Sequence, residues 1–334
     1  MFQKRQINLV TTLIVGFVLV TATAFSPLAG GMNQIKVSLD WTPNTNHTGL
    51  YVAKKRGYFA DENLKVKIVQ PAKATTSIQL TASGKTEFGI NTQEYVTMAR
   101  SRGVPVVSIA AIIQHNTSGF AAPEGRGIDS VEDFEGHRYG GWGTKLENQL
   151  IKSVMKKAGA DFSSVKFVNL GMTDFVTAAR QKMADFFWIF RGWEGIHADI
   201  EGLDYNYIPL TELSETFDYY TPIFITGETL IKDNPQLVED FLRAVSRGYR
   251  YAEKHPEKAA EILLKGASEL DRELVVKSQK YLSDKYSAGV ERWGVQKKEP
   301  WQDFTDWMYD HELIENKIEA SEAFTNEFLP EQEN

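Results

Sequence analysis

Four tryptophans and one glutamate lie at the ends of predicted strands, where side chains can contact a ligand. Trp41 follows the first predicted strand, and Trp142 follows a strand in the second half of the chain. Trp188 and Trp193 bracket the end of another strand, and Glu194 comes next. A single tryptophan is more often core than ligand platform, but four at strand ends together favour a site for a flat ring.

The position of Glu194 suggests what such a ring carries. A carboxylate at a strand end is usually solvated or ion-paired. Between aromatic rings at the mouth of a cleft, Glu194 could instead accept paired N–H bonds from an amino-substituted heterocycle. A ligand without the amino group would leave this carboxylate desolvated and unpaired, so the pattern predicts selectivity for aminated rings.

Further polar side chains lie at other predicted strand ends. Asn44, Asn46 and His47 form a cluster between the first strand and the first helix. One asparagine is expected to cap that helix, which leaves His47, in its first turn, to face the cleft. Gln93, before a helix, and Asn116, near a predicted chain crossing, complete the predicted ligand contacts.

Patterns typical of other chemistry are weak or missing. The six histidines are scattered without metal-binding spacing, cysteine is absent, and neither a nucleophile elbow nor a phosphate-binding loop occurs. Gly140–Thr144 could hold an anion on its amides, but a tight strand-to-helix turn is the preferred interpretation. We therefore expect a protein that is not an enzyme, with no catalytic residues, metal or cofactor.

Short apolar strands alternate with amphipathic helices from Ile35 onward, which predicts parallel sheets with helices on both faces. The chain is predicted to cross to a second lobe near residues 116–123 and to return near 220–226. The sequence thus predicts an α/β protein of two lobes with two hinge crossings. Ligands of such sheets bind beyond the carboxyl ends of the strands, here in the cleft between the lobes. We assign residues 32–119 and 224–334, with a helical C-terminal tail, to lobe one and residues 120–223 to lobe two.

Composition and N-terminus indicate an exported globular protein. The 334 residues suffice for two domains, and the net charge of -7 argues against nucleic acid as a partner. Residues 1–31 have the order of a secretory leader: Lys4 and Arg5, an apolar run from Leu9 to Val20, and then small residues. The alternative is an uncleaved anchor, for which the apolar run is short.

Leu28-Ala29-Gly30 begins like a lipoprotein processing box, but Gly31 stands where the lipid-bearing cysteine would be. The chain as written therefore cannot be a lipoprotein. The box is either a chance resemblance or the trace of a natural or engineered soluble variant, and the sequence leaves open whether the mature chain is tethered.

Three segments resemble one family closely: Leu39–Phe59, Asp185–Gly195 and Phe324–Leu329. The family is the thiamin-pyrimidine-synthase-like solute-binding proteins, and the resemblance is greatest to members that bind N-formyl-4-amino-5-aminomethyl-2-methylpyrimidine for ABC transporters. It covers nearly everything after the leader. The residues that match its motifs are Trp41, Asn44 and His47 in the first, and Trp188, Trp193 and Glu194 in the second.

This resemblance implies a type II periplasmic-binding fold and uptake of a thiamin breakdown product for salvage. The expected partners are a small aminopyrimidine and ABC transporter permease subunits, with the protein itself a monomer in the periplasm or at the outer face of the membrane. Related eukaryotic pyrimidine synthases are enzymes on this fold, and a histidine of theirs aligns with His47, but their cysteine-rich run is absent from Asp218–Phe224. A riboflavin binder is a closer alternative, whereas the acidic Glu194 argues against a sulfonate.

Overall fold

The computed structural model describes residues 31–70, 74–171 and 173–331. The leader predicted for residues 1–31 lies outside the described residues except for Gly31. From Met32 onward the chain forms one compact unit. Within the described ranges, no helix has both the length and the apolar character that a membrane crossing requires.

The described residues form ten strands, arranged in two sheets of five. The strands are β1 (Asn33–Ser38), β2 (Leu64–Val69), β3 (Phe88–Asn91), β4 (Val106–Ala111), β5 (Ser118–Pro123), β6 (Arg138–Gly141), β7 (Lys166–Asn169), β8 (Phe186–Phe190), β9 (Tyr205–Pro209) and β10 (Ile223–Gly227).

Fourteen α-helices surround the sheets in the described part of the chain. They are α1 (Thr48–Lys55), α2 (Tyr58–Asp61), α3 (Ala74–Ala82), α4 (Gln93–Arg100), α5 (Lys145–Ala158), α6 (Phe175–Arg180), α7 (Ile196–Ile200), α8 (Leu210–Leu213), α9 (Glu228–Asp233), α10 (Pro235–Lys254), α11 (Pro256–Gly266), α12 (Arg272–Leu282), α13 (Lys298–Asp310) and α14 (Ala320–Ala323). Short 3-10 helices occur as well, among them Thr45–His47, and Arg191–Gly195 forms a π-helical turn.

Both sheets follow one plan. The order is β2-β1-β3-β10-β4 in the sheet of lobe one and β7-β6-β8-β5-β9 in the sheet of lobe two. The first three strands of each order run parallel, whereas β10 and β5 run antiparallel to both neighbours. The expectation of wholly parallel sheets is therefore wrong. A strand that arrives from the other lobe enters at the cleft edge, where its parallel neighbours end, and so must run against them.

Residues 118–123, predicted to lie within a crossing, are strand β5, and all six residues are buried. Gly119 suits this position because a Cβ there would lie 2.5 Å from the carbonyl oxygen of Ile208. The run Ser-Gly-Phe-Ala-Ala-Pro lacks the β-branched residues that favour strands, which hid it from sequence analysis. The connections between the sheets are accordingly residues 112–117 and the stretch that ends at residue 222.

Each sheet packs into its own apolar core. In lobe one, Phe88 of β3 stacks on Phe241 of α10 with ring centroids 3.9 Å apart. In lobe two, Phe120 packs with the aromatic residues of β6 and β8. Helix α13 of the C-terminal tail joins this second core, where Phe304 stacks on Tyr219 at 4.1 Å. The tail thus contributes to the core of lobe two, and the exact lobe boundaries stay a prediction.

Candidate functional site

Ser278 of α12 connects the strand ends of the two sheets. Thr45, which follows β1, lies with its hydroxyl 2.5 Å from the Ser278 hydroxyl. Ser278 donates in turn to the carbonyl oxygen of Gly192, which follows β8. Because the single Ser278 proton serves Gly192, the Thr45 hydroxyl must be the donor to Ser278. Two segments that are far apart in sequence are therefore joined at the edge where a ligand of this fold would bind.

The turn Arg191–Gly195 lies against helices of lobe one. Gly192 is buried so closely that a Cβ would lie 2.8 Å from Leu282. Trp193 is partly buried and packs on an apolar cluster from α11 and α12 that includes Leu263 and Val275. Trp193 thus spans the two lobes, which is compatible with a ligand contact but also gives it a packing role.

Few protein groups stabilise a negative charge on the Glu194 carboxyl. Its Oε2 accepts the N–H of Phe190 at 3.1 Å, and no ion pair to it occurs within the described part of the chain. Burial raises the pKa of this carboxyl, and the backbone amides of Glu194 and Phe190 oppose that effect. A partly buried carboxyl that is bonded only to backbone amides and has no cation beside it can still accept an N–H donor from a ligand.

Trp142 and Trp188 form an aromatic pair with centroids 6.1 Å apart and planes inclined by 59°. Trp142 is 42% exposed, and Trp188 is 8% exposed. Glu147 Oε1 accepts hydrogen bonds from the backbone N–H of Trp142 at 2.8 Å and from the Tyr139 hydroxyl at 2.7 Å. Thr144 and Glu147 also form a capping box on α5, so Gly140–Thr144 is a strand-to-helix turn that holds Trp142 in place.

His47 is engaged inside the protein rather than free to face the cleft. Its side chain is fully buried, and its Nδ1 accepts the Asn44 N–H at 3.2 Å. Nε2 therefore carries the proton and donates to Asp40 Oδ1 at 2.8 Å. Asn44 caps the Thr45–His47 helix, as expected of one asparagine, by accepting the Asn46 N–H at 2.9 Å. Trp41, by contrast, is 38% exposed.

Gln93 and Asn116 tie down the connections between the lobes. The Gln93 Nε2 donates to the Pro300 carbonyl, and its Oε1 accepts the Tyr220 N–H, both at 2.9 Å. The Asn116 Nδ2 donates to the Phe217 carbonyl, also at 2.9 Å. Both side chains thus have partners within the protein, and a ligand contact from either stays a prediction.

Sequence analysis missed Glu94, in the first turn of α4 just after β3. Its Oε2 is buried without a hydrogen-bond partner in the described structure. Burial raises the pKa of this carboxyl to about 7, the Thr92 hydroxyl and the residue's own amide oppose the rise, and the nearby Asp40 adds to it. The position of Glu94 beside Gln93, at the end of a strand, was the one feature of the sequence that could have identified it. Acidic residues are common in the first turn of a helix, so this position alone does not indicate a ligand contact.

Three surface depressions of about 630, 430 and 390 Å³ lie elsewhere, and none is lined by any of the nine predicted ligand contacts. The first lies on lobe one, where Tyr51 and Lys54 of α1 meet Ile262 of α11. The strand ends themselves are joined through Ser278. The candidate site therefore depends on the chemistry of the strand-end residues and not on cavity size.

A family model described as "NMT1/THI5 like" matches residues 44–259, more than half of the chain. The chain belongs to the NMT1/THI5-like family. The match begins at the capping residue Asn44 and includes Glu94, the Trp142–Trp188 pair and Glu194.

Two relatives of this NMT1/THI5-like chain are similar over most of their length. A formylaminopyrimidine-binding protein of Halalkalibacterium halodurans is 28% identical over 299 residues, which cover 88% of this chain and 90% of the relative. A 4-amino-5-hydroxymethyl-2-methylpyrimidine phosphate synthase of Legionella pneumophila is 25% identical over 301 residues, with coverage of 90% and 93%.

The fold is that of periplasmic binding proteins. The periplasmic aliphatic sulphonate binding protein of Escherichia coli superposes with a TM-score of 0.71 at 16% identity, over 90% of this chain and 94% of that one. The predicted two-lobed α/β architecture is thereby confirmed, with mixed instead of parallel sheets.

Proposed function

We propose that this chain is an extracytoplasmic solute-binding protein of an ABC importer, which captures a formylated aminopyrimidine for thiamin salvage and does not transform it. The observation that carries the proposal is Glu194: a carboxyl with one backbone donor and no ion pair in the described chain, beside the aromatic strand ends. Such a group accepts an N–H donor and disfavours anionic ligands.

The arrangement of side chains supports an aminated ring in particular. Trp142 is exposed enough to offer a ring face, and stacking on such a face contributes about 0.5–1.5 kcal/mol beyond area burial. The second oxygen of Glu194 would accept an amino N–H, because Phe190 occupies only the first. Trp41, Asn44, His47, Gln93, Asn116, Trp188 and Trp193 are proposed as the remaining ligand contacts, and those already bonded within the protein would act mainly by positioning.

The relatives support this ligand class while leaving an enzyme as the competing function. The Halalkalibacterium halodurans relative is a formylaminopyrimidine-binding protein, and the Legionella pneumophila relative is a pyrimidine phosphate synthase. The binding function is favoured because His47, the aligned histidine, has both ring nitrogens bonded within the protein. A general base must instead reach its substrate.

The same proposal includes export and partners. Residues 1–31 would direct the chain out of the cytoplasm, and the mature protein would act as a monomer that delivers its ligand to ABC transporter permease subunits. Lobe one (32–119 and 224–334) and lobe two (120–223) would close on the ligand about the two connections.

Isothermal calorimetry on one preparation tests the proposal with three ligands: the formylated aminopyrimidine, riboflavin and an alkyl sulfonate. We expect heat from the pyrimidine with one site per chain. If riboflavin binds and the pyrimidine gives no heat up to about millimolar concentration, the protein is a riboflavin-binding protein instead. A millimolar dissociation constant corresponds to a binding free energy of only about -4 kcal/mol. Conversion of a bound pyrimidine precursor to a new product, detected by mass spectrometry, would establish the enzyme instead.

A further inference from the structure

Glu94 Oε2 and the neighbouring Thr92 hydroxyl are both buried without a well-formed hydrogen bond, although the hydroxyl is close enough to oppose the rise in the pKa of the carboxyl. Glu94 as a whole is only partly buried. Buried carboxyl oxygens in native proteins are nearly always paired, because an unpaired one forfeits its hydration without compensation. An oxygen of this kind at a strand end indicates that a bound molecule supplies the missing partner.

The surroundings of Glu94 place it at the cleft edge of lobe one. It follows β3 directly, and Asp40, which follows β1, is close enough to raise its pKa. Burial raises the pKa of Tyr95, and the charges of Glu94 and Glu147 add to the rise. Since Glu147 is the residue that anchors Trp142, the Glu94 carboxyl lies near the part of lobe two that carries the exposed Trp142.

Besides Glu94 Oε2, ten further buried side-chain atoms lack a hydrogen-bond partner in the described residues, and one of these atoms is a donor on lobe two. The Nε1–H of Trp188 is a buried donor with no acceptor in the described structure. Met98 lies one helical turn after Glu94 on α4 and packs against the apolar cluster that contains Trp188. Helix α4, which carries Glu94, is thus in contact through Met98 with the apolar core that contains Trp188.

We propose that Glu94 is a second ligand-binding carboxyl, which contacts from lobe one a polar edge of the heterocycle that Glu194 does not reach, while the Trp188 Nε1–H donates to an acceptor on the same ligand. This inference rests on the proposed function. It narrows the ligand class to nitrogen heterocycles with hydrogen-bonding groups on two separate edges, as in a diazine that bears an amino group. A ring with a single polar edge would satisfy one carboxyl and leave the other buried and unpaired.

The protonation state follows from the surroundings. Burial raises the pKa of the Glu94 carboxyl to about 7, with the negative charge of Asp40 adding to the effect. The other titratable neighbours, Tyr95 and Tyr219, have pKa values raised by burial and stay neutral in this range, and His47 bonds to Asp40. An O–H that donates to a ring nitrogen stabilises the protonated form, so the pKa rises further on binding. Affinity should therefore be highest below pH 7 and fall above it, with uptake of one proton.

The test measures the dissociation constant of the formylated aminopyrimidine by calorimetry at pH 6, 7.5 and 9. For the wild type we expect a loss of about tenfold or more between pH 6 and pH 9. Glu94→Gln keeps a donor and an acceptor, like the protonated carboxyl, but cannot titrate, so its affinity should be close to that of the wild type at pH 6 and flat across the range. Glu94→Ala should bind about tenfold or more weakly at pH 6. Glu315→Gln, at an exposed glutamate, controls for loss of one negative charge.

Wild-type affinity in Glu94→Ala, or an unchanged pH slope in Glu94→Gln, would overturn the role of Glu94 and leave the proposed function standing. A wild type that binds no pyrimidine at any pH would overturn both. If Glu94→Ala does not fold, the test is proton uptake by the wild type on ligand binding, measured by calorimetry in two buffers of different ionisation enthalpy. We expect about one proton to be taken up at pH 8. Binding at pH 8 without proton uptake would contradict the inference.

Discussion

Ser278 and Gly192 are joined by a hydrogen bond from the serine hydroxyl to the glycine carbonyl oxygen, and the bond links α12 to the turn that carries Trp193 and Glu194. Thr45 donates to the same serine from the segment after β1. The position of the predicted ligand carboxyl therefore depends on a helix more than eighty residues away in the chain.

Ser278→Ala should loosen the contact between the lobes. Both the Gly192 carbonyl and the Thr45 hydroxyl lose a buried hydrogen-bond partner. We therefore expect the unfolding free energy to fall by about 1–2 kcal/mol and the ligand to bind severalfold more weakly. Small-angle scattering of the unliganded variant should show a larger radius of gyration, with compaction restored by ligand. Denaturation and calorimetry measure the other two effects.

Ser283→Ala is the matched control. This serine is the partly exposed residue directly after the same helix, and its hydroxyl donates to the Lys280 carbonyl at 2.9 Å. Its removal should change neither scattering nor affinity. Identical scattering and affinity for Ser278→Ala and the wild type would show that Ser278 does not hold the lobes together.

Glu194→Gln tests the principal ligand contact. The glutamine can still accept the Phe190 N–H through its oxygen, so the melting temperature should barely change. Its amide nitrogen would, however, face the ligand N–H in place of a carboxylate oxygen. We expect a loss of about 1.5–3 kcal/mol, or roughly ten- to a hundredfold in dissociation constant, by calorimetry.

Glu132→Gln, at an exposed glutamate of the same lobe, serves as the charge control for that experiment. An unaltered dissociation constant in Glu194→Gln would place Glu194 outside the site. A lowered melting temperature with unchanged affinity would assign it a structural role, and the site would then depend on the aromatic residues.

Trp142→Ala should weaken binding with little effect on folding, because the indole is 42% exposed. Loss of a stacking face predicts a roughly tenfold higher dissociation constant and a smaller change in tryptophan emission on ligand addition. Tyr309→Ala removes an equally exposed ring, at 42%, from α13 and should leave both quantities unchanged. Equal effects of the two substitutions would indicate that Trp142 is not a ligand platform.

The titration of Glu94 should also be visible in stability without ligand. Its folded-state pKa of about 7 lies above the unfolded value near 4.3, so the folded state holds the extra proton. The stabilisation of the folded state by this bound proton is complete below about pH 4.3 and is lost as the pH rises through 7. Glu94→Gln should therefore match the wild type near pH 4.5 and exceed it by about 1–2 kcal/mol at pH 8, after allowance for partial exposure.

Urea denaturation of Glu94→Gln, Glu315→Gln and the wild type at pH 4.5 and pH 8 measures this difference. If the difference in unfolding free energy between Glu94→Gln and the wild type is the same at both pH values, the Glu94 carboxyl does not titrate between them.

Most of the architecture is readable from the sequence because strands and helices alternate with clear periodicity. Helix α5 buries Leu146, Leu150 and Val154 on one face, a helical spacing that is visible in the sequence itself. The missed strand, β5, is central and buried on both faces, so it shows no alternation, and its small residues resemble a connection. Its direction follows from where the chain enters the second sheet, which local patterns do not encode.

The site was less predictable, because hydrogen-bond partners lie far apart in the chain. Gln93 was placed correctly at a strand end, yet its partner Tyr220 is 127 residues away, so the local sequence gives no sign that its side chain is already bonded within the protein. Glu94, one residue further on, has no such partner for Oε2 and was overlooked. Residue type and position select the candidates, but only the folded chain shows which of them are already satisfied.

The late position of β10 governs the order in which the molecule can be completed. This strand lies between β3 and β4 in the first sheet, yet it is made only after the whole of the second sheet. While the chain is being synthesised, β3 and β4 cannot pair through it, and their edges stay open until Ile223–Gly227 emerges. The first lobe is therefore the last to finish, and a nascent chain stopped short of residue 223 cannot close its own sheet.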